Sequence, residues 1–376
     1  MTKVQSSNNE LTYRVDGAVN LLRKMVSVPS LSGEEHECVA LLEEYLTSQG
    51  VKTERAKNNI ICKIGSGNGE RPVLLLNSHI DTVKPSSSYT FDPFNAPISS
   101  TTVYGLGSND AGASVVSLIS AFIWLKERYC IASVIGDGAC GNNELPFDIT
   151  LILSAEEENS GENGMSLALK KAGRVDAAIV GEPTQMKCAI AERGLLVLDC
   201  IAHGITGHAA RDEGTNAIYI AHDDISVLRS FRFEEVSPLM GEIKITVTQI
   251  EAGIQHNVIP DSCRFVVDIR PTDVISNKAI VDKLRSVLRS EIKPRSLLNS
   301  SSATPQEHPL YRNAIACRFE TFVSPTTSDW MRLPVPAIKM GPGDSARSHN
   351  ADEYVLIEEI KRGIEGYIRY IENLRL

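Results

Sequence analysis

Basic residues are in deficit in this chain. Its 376 residues include 38 Lys and Arg against 47 Asp and Glu, which leaves a formal net charge of −9. Proteins that bind nucleic acid place basic groups against the phosphate backbone and release its counterions. The acidic balance has the wrong sign for that task, so we expect no nucleic-acid partner.

Long apolar runs are also missing. No stretch reaches the roughly 20 consecutive apolar residues that a membrane-spanning helix needs. The first ten residues, MTKVQSSNNE, lack the apolar core of a secretory signal peptide. We therefore expect no membrane partner and a cytoplasmic location.

Two kinds of local motif are absent as well. The 8 cysteines form no C-x-x-C pair and none stands at zinc-finger spacing from a histidine, so we expect them to be reduced and mostly structural. The glycines of YGLGSNDAG do not fit G-x-G-x-x-G, and no Walker sequence is present. These absences exclude the common nucleotide-binding loops.

The composition that remains is that of a globular protein. Hydrophobic residues make up 42% of the chain and charged residues 23%. A chain of 376 residues exceeds the size at which one core stops growing. We expect two domains, or one domain with a large insertion.

The first half of the chain has an α/β pattern. Apolar residues recur at helical spacing from Val19 to Val26, and Ser32 with Glu35 matches a capping box for a second helix that ends at Gly50. The runs IICKIG, PVLLLNSHID, TLILSAEEE and AAIVGEP are typical of strands buried on both faces. The apolar stretch 114–125 has the length of a buried helix, and GDGACGNNE is expected to be a surface loop.

The pattern changes between residues 191 and 298. Alternating strands and two helices follow in β-α-β-β-α order, which predicts an inserted α+β unit. After it, PAIKMGPGD resembles another buried strand, and residues 358–374 form an amphipathic helix. The sequence thus predicts one domain from residues 1–190 and 299–376, interrupted by a second domain from residues 191–298.

Candidate metal ligands follow the predicted buried strands of the first domain. Because the carboxyl ends of such strands meet at one edge of a sheet, His79, Glu158 and Glu182 should lie close together, with Asp110 at the start of the next helix. Imidazole and carboxylate groups suit zinc and related ions. We expect Asp110 to be shared by two metals, and Asp81 to accept the second ring N–H of His79.

Five ordered motifs give this set a family resemblance. They are HID at 79–81, SNDAGA at 108–113, AEEE at 155–158, GEPT at 181–184 and SH at 348–349. Together they resemble the M20 metallopeptidase family, in particular the branch that contains acetylornithine deacetylase and succinyl-diaminopimelate desuccinylase. The resemblance covers nearly the whole chain. It implies a zinc-peptidase-like α/β domain, in which a mixed sheet is flanked by helices, with an inserted ferredoxin-like dimerisation or lid domain.

The resemblance also implies roles for single residues of the first domain. His79 and Glu182 would bind one metal, and Glu158 and His349 the other, with Asp110 bridging them. Glu157 would be the general base, which leaves Glu156 at a position usually held by Asp. Three adjacent acids leave this register open by one residue, and a solvated acidic turn is the alternative for all three.

Further roles fall in the inserted domain. The resemblance implies a homodimer in which His208 stabilises the oxyanion in the partner's site, and in which Asn257 and Arg270 bind the substrate carboxylate. A turn for Asn257 and a surface ion pair for Arg270 are the structural alternatives. The other histidines are expected to be structural: His36, His203, His222, His256 and His308.

The predicted function is removal of an acetyl or succinyl group from an N-acyl amino acid by an enzyme with two divalent metals, zinc first and cobalt second. N-acylornithine or N-acylcitrulline in arginine biosynthesis is the expected substrate. A dipeptidase or aminopeptidase with the same metals is the alternative among hydrolases. A metal-free binding protein is a third alternative, which a missing ligand would favour, but all five ligands and the candidate base are present.

Overall fold

The computed structural model describes residues 3–65, 69–129, 145–211 and 213–376, with the side chains of the first helix described from Glu10 onward. The chain divides into two compact units. The first comprises Met1–Ile190, Thr304–Phe322 and Ser328–Leu376, and the second comprises Ala191–Ala303 and Val323–Thr327. The predicted loop GDGACGNNE, at 136–144, lies outside the described residues, as do Cys130 and Cys140.

The helices of the described residues are α1 (Lys3–Val26), α2 (His36–Ser48), α3 (Ala113–Arg128), α4 (Met165–Ala172), α5 (Ala217–Ser230), α6 (Asn277–Val287), α7 (Pro309–Ala316) and α8 (Ile357–Asn373). Short helical turns occupy Ser108–Gly112, Asp329–Arg332 and Ser345–Arg347.

The strands of the described residues are β1 (Thr53–Ala56), β2 (Asn59–Ile64), β3 (Val73–His79), β4 (Thr102–Tyr104), β5 (Asp148–Ser154), β6 (Ala177–Val180), β7 (Cys188–Glu192), β8 (Leu196–His203), β9 (Gly207–His208), β10 (Lys244–Ala252), β11 (Val258–Ile259), β12 (Ser262–Arg270), β13 (Glu291–Pro294), β14 (Ser302–Ala303), β15 (Thr321–Ser324), β16 (Ala337–Lys339) and β17 (Tyr354–Leu356).

The first unit is built on a mixed sheet in the order β1-β2-β5-β3-β6-β16-β7. Strand β3 runs parallel to both β5 and β6, and β16 runs parallel to β6. From residue 74 to its end, every residue of β3 is buried, as expected for a strand covered on both faces. The predicted mixed sheet with flanking helices is confirmed, and the carboxyl ends of four strands share one edge.

Helix α3 is the apolar centre of the first unit. Twelve of its 16 residues are buried, and it packs against α1 and α8. Segment Ser108–Arg128 is long and apolar enough to cross a membrane, but 89% of its most apolar window is buried inside the structure. Helix α8 contributes the predicted stripe, since Ile360, Ile364, Tyr367 and Ile371 are all fully buried. The hydrophobic pattern therefore predicted both helices correctly.

The second unit contains a four-stranded antiparallel sheet in the order β10-β12-β8-β13, with helices α5 and α6 following β8 and β12. Residues Leu198, Phe265 and Leu284 belong to its separate hydrophobic core. The observed β-α-β-β-α-β order and sheet arrangement are those of a ferredoxin-like fold. Strand β13 was absent from the sequence prediction because four residues ending at Pro294 carry little alternation.

The predicted capping box of α2 is wrong. Glu35 stands at the N-cap position, but α2 has no side-chain cap, because the carboxylate accepts N–H bonds from Gly33 at 2.6 Å and from Glu156 at 3.2 Å. The hydroxyl of Ser32 donates to Asp81 Oδ2 at 2.5 Å. Both residues therefore bond to the candidate site and its acidic loop instead of to the helix. The predicted end is close, since α2 stops at Ser48, and Gly50 takes the left-handed conformation with φ +67°.

The cysteines of the described residues are reduced, as predicted. Those without a disulfide are Cys38, Cys62, Cys188, Cys200, Cys263 and Cys317. Burial, with a smaller contribution from the charge of Glu35, raises the pKa of Cys38 to about 12. Burial alone raises the pKa of Cys188 to the same level. Thiols protonated at neutral pH are poor nucleophiles, which agrees with a structural role.

Candidate metal centre

The predicted ligands converge at the carboxyl edge of the first unit's sheet. His79 is the last residue of β3 and pairs in register with Ser154, the last residue of β5. Glu158 lies four residues after the end of β5, and Glu182 lies two residues after the end of β6. Because these strands are parallel, side chains far apart in the sequence meet at one edge.

His79 forms the first group of ligand atoms. Its Nε2 lies 3.1 Å from Asp110 Oδ1 and 3.9 Å from Glu182 Oε1. The imidazole is only 2% exposed, and the two carboxylates are 13% exposed. This is the set that the sequence analysis assigned to one metal.

His349 forms the second group from the other side of Asp110. Its Nε2 lies 3.0 Å from Glu158 Oε2 and 4.0 Å from Asp110 Oδ2. Residue 349 itself adopts the left-handed conformation, with φ +59°. The two oxygens of Asp110 therefore face different imidazoles, with Oδ1 towards His79 and Oδ2 towards His349.

These spacings fit divalent ions. Ligand atoms about 2.0 to 2.2 Å from a tetrahedral ion lie about 3.4 Å from one another. The donor–donor distances within the two groups run from 3.0 to 4.0 Å. His79, Asp110 and Glu158 also offer one ligand atom each within 4.8 Å of one another. The donor set, imidazole nitrogen and carboxylate oxygen, is the one that zinc uses in hydrolases.

The charges of the site favour the binding of a cation. Burial, together with the charges of Asp110 and Glu158, raises the pKa of Glu182 to about 8, although His79 and Lys339 oppose this shift. Burial also raises the pKa of Glu157 well above its usual value, and the charges of Glu182, Asp329 and Glu158 add to this effect while His79 opposes it. Carboxylates with raised pKa values are destabilised in their charged form, and a cation among them removes that penalty.

The two imidazoles respond in the opposite way. Burial lowers the pKa of His79, but hydrogen bonds to Asp110 and Asp81 outweigh it and raise that pKa well above normal. The hydrogen bond to Glu158 raises the pKa of His349 to about 9. Without a metal, the imidazolium groups themselves partly neutralise the carboxylates, so each ring must lose a proton before it can act as a ligand.

Asp81 supports the site differently from the prediction. The Nδ1 atom of His79 lies 3.0 Å from the main-chain oxygen of Asp81 and 3.5 Å from its carboxylate. That carboxylate instead accepts N–H bonds from Glu157 at 3.0 Å and from Glu158 at 3.1 Å. Burial opposes ionisation of Asp81, but its contacts with His79 and Ser32 and the Glu158 N–H outweigh burial and lower its pKa. The nearest acceptor for the ring is thus a main-chain carbonyl, and the side chain anchors the acidic loop.

The three adjacent acids point to different partners. The carboxylate of Glu156 accepts hydrogen bonds from the main-chain and side-chain nitrogens of Asn163, at 3.1 and 3.0 Å, within its own loop. The carboxylate of Glu157 makes no hydrogen bond within the described part of the chain, and its charge interacts with His79 and Glu182. Glu158 contacts His349. The geometry therefore favours Glu157 over Glu156 as the free carboxylate beside the ligands.

The sequence analysis missed two buried carboxylates near this edge. Glu353 is 2% exposed and accepts main-chain N–H bonds from Gly107, Asn109 and Asp110. Asp329 is 4% exposed and accepts a hydrogen bond from Ser154 at 2.5 Å. Burial raises the pKa of Glu353 to about 7 and that of Asp329 to about 6. A lone acid in a polar segment has no distinctive sequence pattern, so only the folded chain identifies these two.

The remaining predicted site residues belong to the second unit. His208 in β9 pairs with Val258 in β11, and the main-chain oxygen of Asn257 accepts an N–H bond from Ala209 at 3.0 Å. The exposed ring of His208 accepts an N–H bond from Ala210 at Nδ1, and its Nε2 has no hydrogen-bond partner in the described ranges. The structure therefore places His208 and Asn257 on one short ribbon.

Arg270 stands apart from that ribbon at the end of β12. Its guanidinium pairs with both carboxylate oxygens of Asp268, at 2.8 and 3.1 Å. The two residues are two positions apart on one strand, so their side chains share a face of the sheet. This is the surface ion pair that the sequence left open as the structural alternative.

Comparison with known proteins adds the family context. The model of the family described as Peptidase family M20/M25/M40 matches residues 75–373. A Peptidase M20 domain-containing protein of Schizosaccharomyces pombe is 27% identical over 383 residues, which cover 98% of this chain and 88% of that protein. The acetylornithine deacetylase of Proteus mirabilis is 24% identical over 392 residues, which cover 95% of this chain and 97% of that enzyme.

A solved structure supports the fold. A Bacillus subtilis protein, described as a dinuclear metal binding peptidase, matches with a TM-score of 0.70 at 16% identity. The match covers 96% of this chain and 98% of that one. At this identity the likeness concerns the fold alone.

The raised pKa values predict that metal binding releases protons. At pH 7, below the pKa of about 8 for Glu182 and about 9 for His349, both groups carry protons that a cation must displace. Zinc affinity should therefore rise as the pH increases through this range. Calorimetric titration with Zn²⁺ in buffers of different ionisation enthalpy should show net proton release at pH 7 that diminishes towards pH 9. An affinity that does not change with pH would contradict the assignment.

Proposed function

The chain belongs to the M20 peptidase family, whose model matches residues 75–373, and we propose that within this family of metal-dependent hydrolases it is a two-metal N-acyl-amino-acid deacylase. The substrate class proposed is an amino acid with an acetyl or succinyl group on its nitrogen, with N-acylornithine or N-acylcitrulline first. The cytoplasmic location and the absence of nucleic-acid and membrane partners stay predictions.

The observation that carries the two-metal proposal is the orientation of Asp110. Its Oδ1 lies 3.1 Å from His79 and its Oδ2 lies 4.0 Å from His349, so one carboxylate serves two imidazole-containing groups. His79 and Glu182 would hold one ion, Glu158 and His349 the other, and Asp110 both. Zinc is the proposed metal because of the mixed nitrogen and oxygen donors, and cobalt suits the same donors.

The metals, when bound, supply Lewis acidity for the amide carbonyl and lower the pKa of water. The protein's own contribution to proton transfer is Glu157. Its carboxylate takes a proton from the attacking water and returns it to the departing amine nitrogen, so that the amide C–N bond breaks to a carboxylic acid and an amine. Burial and the neighbouring acids raise the pKa of this carboxylate, and a raised pKa makes a carboxylate a stronger proton acceptor.

The second unit supplies the proposed oxyanion donor and substrate contacts. The Nε2 of His208 is available for a ligand, as an oxyanion donor requires. Asn257 lies beside it on the same ribbon. Arg270 is proposed to bind the substrate carboxylate by exchanging Asp268 for it, because the planar guanidinium can hold either carboxylate bidentately.

The choice of an acyl group rests on whole-chain similarity to a deacylase. The Proteus mirabilis relative named as an acetylornithine deacetylase aligns over 95% of this chain. A peptidase of the same family is the second candidate, since the Bacillus subtilis protein of similar fold is described as a dinuclear metal binding peptidase. The two candidates share the metals and differ in the acyl side of the scissile bond, which carries a free ammonium group in a dipeptide and none in an N-acetyl or N-succinyl amino acid.

A substrate panel separates these two functions. We expect the zinc- or cobalt-loaded protein to hydrolyse N-acetyl or N-succinyl amino acids with a kcat/KM at least about 100-fold above that for dipeptides, because a free ammonium group would be buried unpaired in an acyl pocket. Initial rates with N-acetylornithine, N-acetylcitrulline, their N-succinyl counterparts and dipeptides measure this ratio. Turnover of dipeptides alone would replace the deacylase by a dipeptidase.

Glu157→Gln tests the proton carrier. The amide keeps the shape of the side chain but cannot exchange the proton, so kcat should fall about 100- to 10,000-fold. Zinc content, measured by elemental analysis, should stay at the wild-type level. Glu156→Gln is the matched control, because that carboxylate bonds to Asn163 within its loop, and it should retain most of the rate. A nearly normal rate in the Glu157 variant, with a large loss in the Glu156 variant, would exchange their roles.

Mixing two inactive variants tests whether His208 acts across a dimer. In a homodimer with shared sites, His208→Ala and Glu157→Gln chains complement each other, since one pairing combines an intact base with an intact histidine. Random exchange of subunits should then restore about a quarter of the wild-type rate, because half of the dimers carry one complete site of two. Dimer formation without any recovered activity would show that His208 acts within its own chain or not at all.

A further inference from the structure

We propose that Glu353 is a positioning residue of the metal centre, which fixes the loop carrying Asp110 against the segment carrying His349. The inference deepens the proposed function and rests on its assignment of Asp110 and His349 as ligands. Glu353 lies four residues after His349 in the sequence, and 243 residues after Asp110. Its side chain contacts the loop main chain.

The side chain of Glu353 accepts three main-chain N–H groups of that loop. Its Oε1 accepts the N–H of Asn109 at 2.8 Å and that of Asp110 at 2.9 Å, and its Oε2 accepts the N–H of Gly107 at 3.0 Å. Its main-chain oxygen accepts the N–H of Gly105 at 2.9 Å. One buried residue therefore bonds four main-chain donors within six positions, including the donor of the bridging ligand itself.

The loop needs an outside acceptor because its backbone is irregular. Asp110 has φ −118° and ψ 99°, which lies outside the helical region, and helix α3 begins only at Ala113. Helix α3 has no side-chain cap of its own. Main-chain N–H groups that precede a helix without internal partners must bond elsewhere when they are buried. A carboxylate meets this need strongly, since charge-assisted hydrogen bonds are about twice as strong as neutral ones.

A second contact holds the same loop to the His349 segment. The side chain of Asn109 donates to the main-chain oxygen of Asp344 at 3.0 Å and accepts from its main-chain nitrogen at 2.9 Å. Gly343 packs so tightly here that an added Cβ would lie 2.4 Å from Asn109 Oδ1. The chain on both sides of His349 is therefore bonded to the loop that carries Asp110, which fixes the distance between these two ligands.

The position of Glu353 does not suit a metal ligand. Both carboxylate oxygens face main-chain N–H groups, and the residue is 2% exposed, whereas the ligand carboxylate of Asp110 is 13% exposed. Its effect on a metal is therefore exerted through Asp110. Partners that orient a ligand in this way typically change metal affinity about 10- to 100-fold when they are lost.

The test is the affinity of the full chain for Zn²⁺ alone, measured by competition with a chromogenic chelator. Glu353→Gln keeps the side-chain shape but turns an NH₂ group towards main-chain N–H donors, so Kd should weaken about 10- to 100-fold. Asp352→Asn is the matched control. That neighbouring carboxylate also accepts a main-chain N–H, from Thr90 at 2.8 Å, and lies at φ +57°, a conformation that Asn tolerates. Its Kd should equal that of the wild type.

The thermal midpoint of the metal-free protein distinguishes positioning from a structural role. If Glu353 positions the ligands, Glu353→Gln should bind zinc more weakly than its loss of thermal stability without metal would explain. A lower midpoint with an unchanged Kd overturns the inference, and so does an equal loss of affinity in Asp352→Asn. If Glu353→Gln does not fold, Glu353→Asp keeps the charge but shortens the side chain by one methylene, and an unchanged Kd there also overturns it. A wild-type protein that binds zinc but hydrolyses no substrate would refute the proposed function while leaving this comparison decisive.

Discussion

Repulsion among buried carboxylates is the constraint around which the first unit is organised. Asp110, Glu157, Glu158 and Glu182 crowd around two imidazoles, and burial, together with the charges of Asp110 and Glu158, raises the pKa of Glu182 to about 8. Without a metal, protonated imidazoles offset part of this charge, and at pH 7 the proton on Glu182 removes a further part. Such an arrangement is costly for a chain that holds nothing, and it becomes favourable when cations bind among the acids. Keeping these acids together therefore lowers the stability of the metal-free fold and favours the binding of cations.

Main-chain N–H groups of the loops that carry the candidate ligands donate hydrogen bonds to further buried carboxylates. Asp81 accepts the N–H groups of Glu157 and Glu158, and Glu353 accepts that of Asp110. Glu35 adds a bond from Glu156. Each acid thus fixes a loop by its backbone and leaves the ligand side chains free to turn towards the site. The precision of the ligands depends on these supporting acids as much as on the sheet.

The strands and main helices could be predicted because their apolar runs are long or regular. The run LLLNSH became β3, and the stripe from Ile360 to Ile371 became the buried face of α8. Predictions that depended on a single side-chain contact fared worse. Ser32 and Glu35 have the spacing of a capping box, yet Ser32 bonds to Asp81, and Glu35 accepts N–H bonds from Gly33 and Glu156 instead of completing the box. The carboxylate of Asp81 lies 3.5 Å from Nδ1 of His79, and it also accepts N–H bonds from Glu157 and Glu158, which the sequence did not predict.

The order of motifs along the chain by itself determined which residues gather, because parallel strands bring their carboxyl ends to one edge whatever lies between them. It placed His79, Glu158 and Glu182 at one edge with Asp110 at the start of the next helix, whereas His349 was predicted only from the family resemblance. Only the tertiary structure decided which of three adjacent acids faces the ligands, since the carboxylate of Glu156 bonds to Asn163 within its own loop while that of Glu158 contacts His349. It alone revealed Glu353 and Asp329 as well. A buried carboxylate is defined by the groups that surround it, and those come from segments that no local pattern connects.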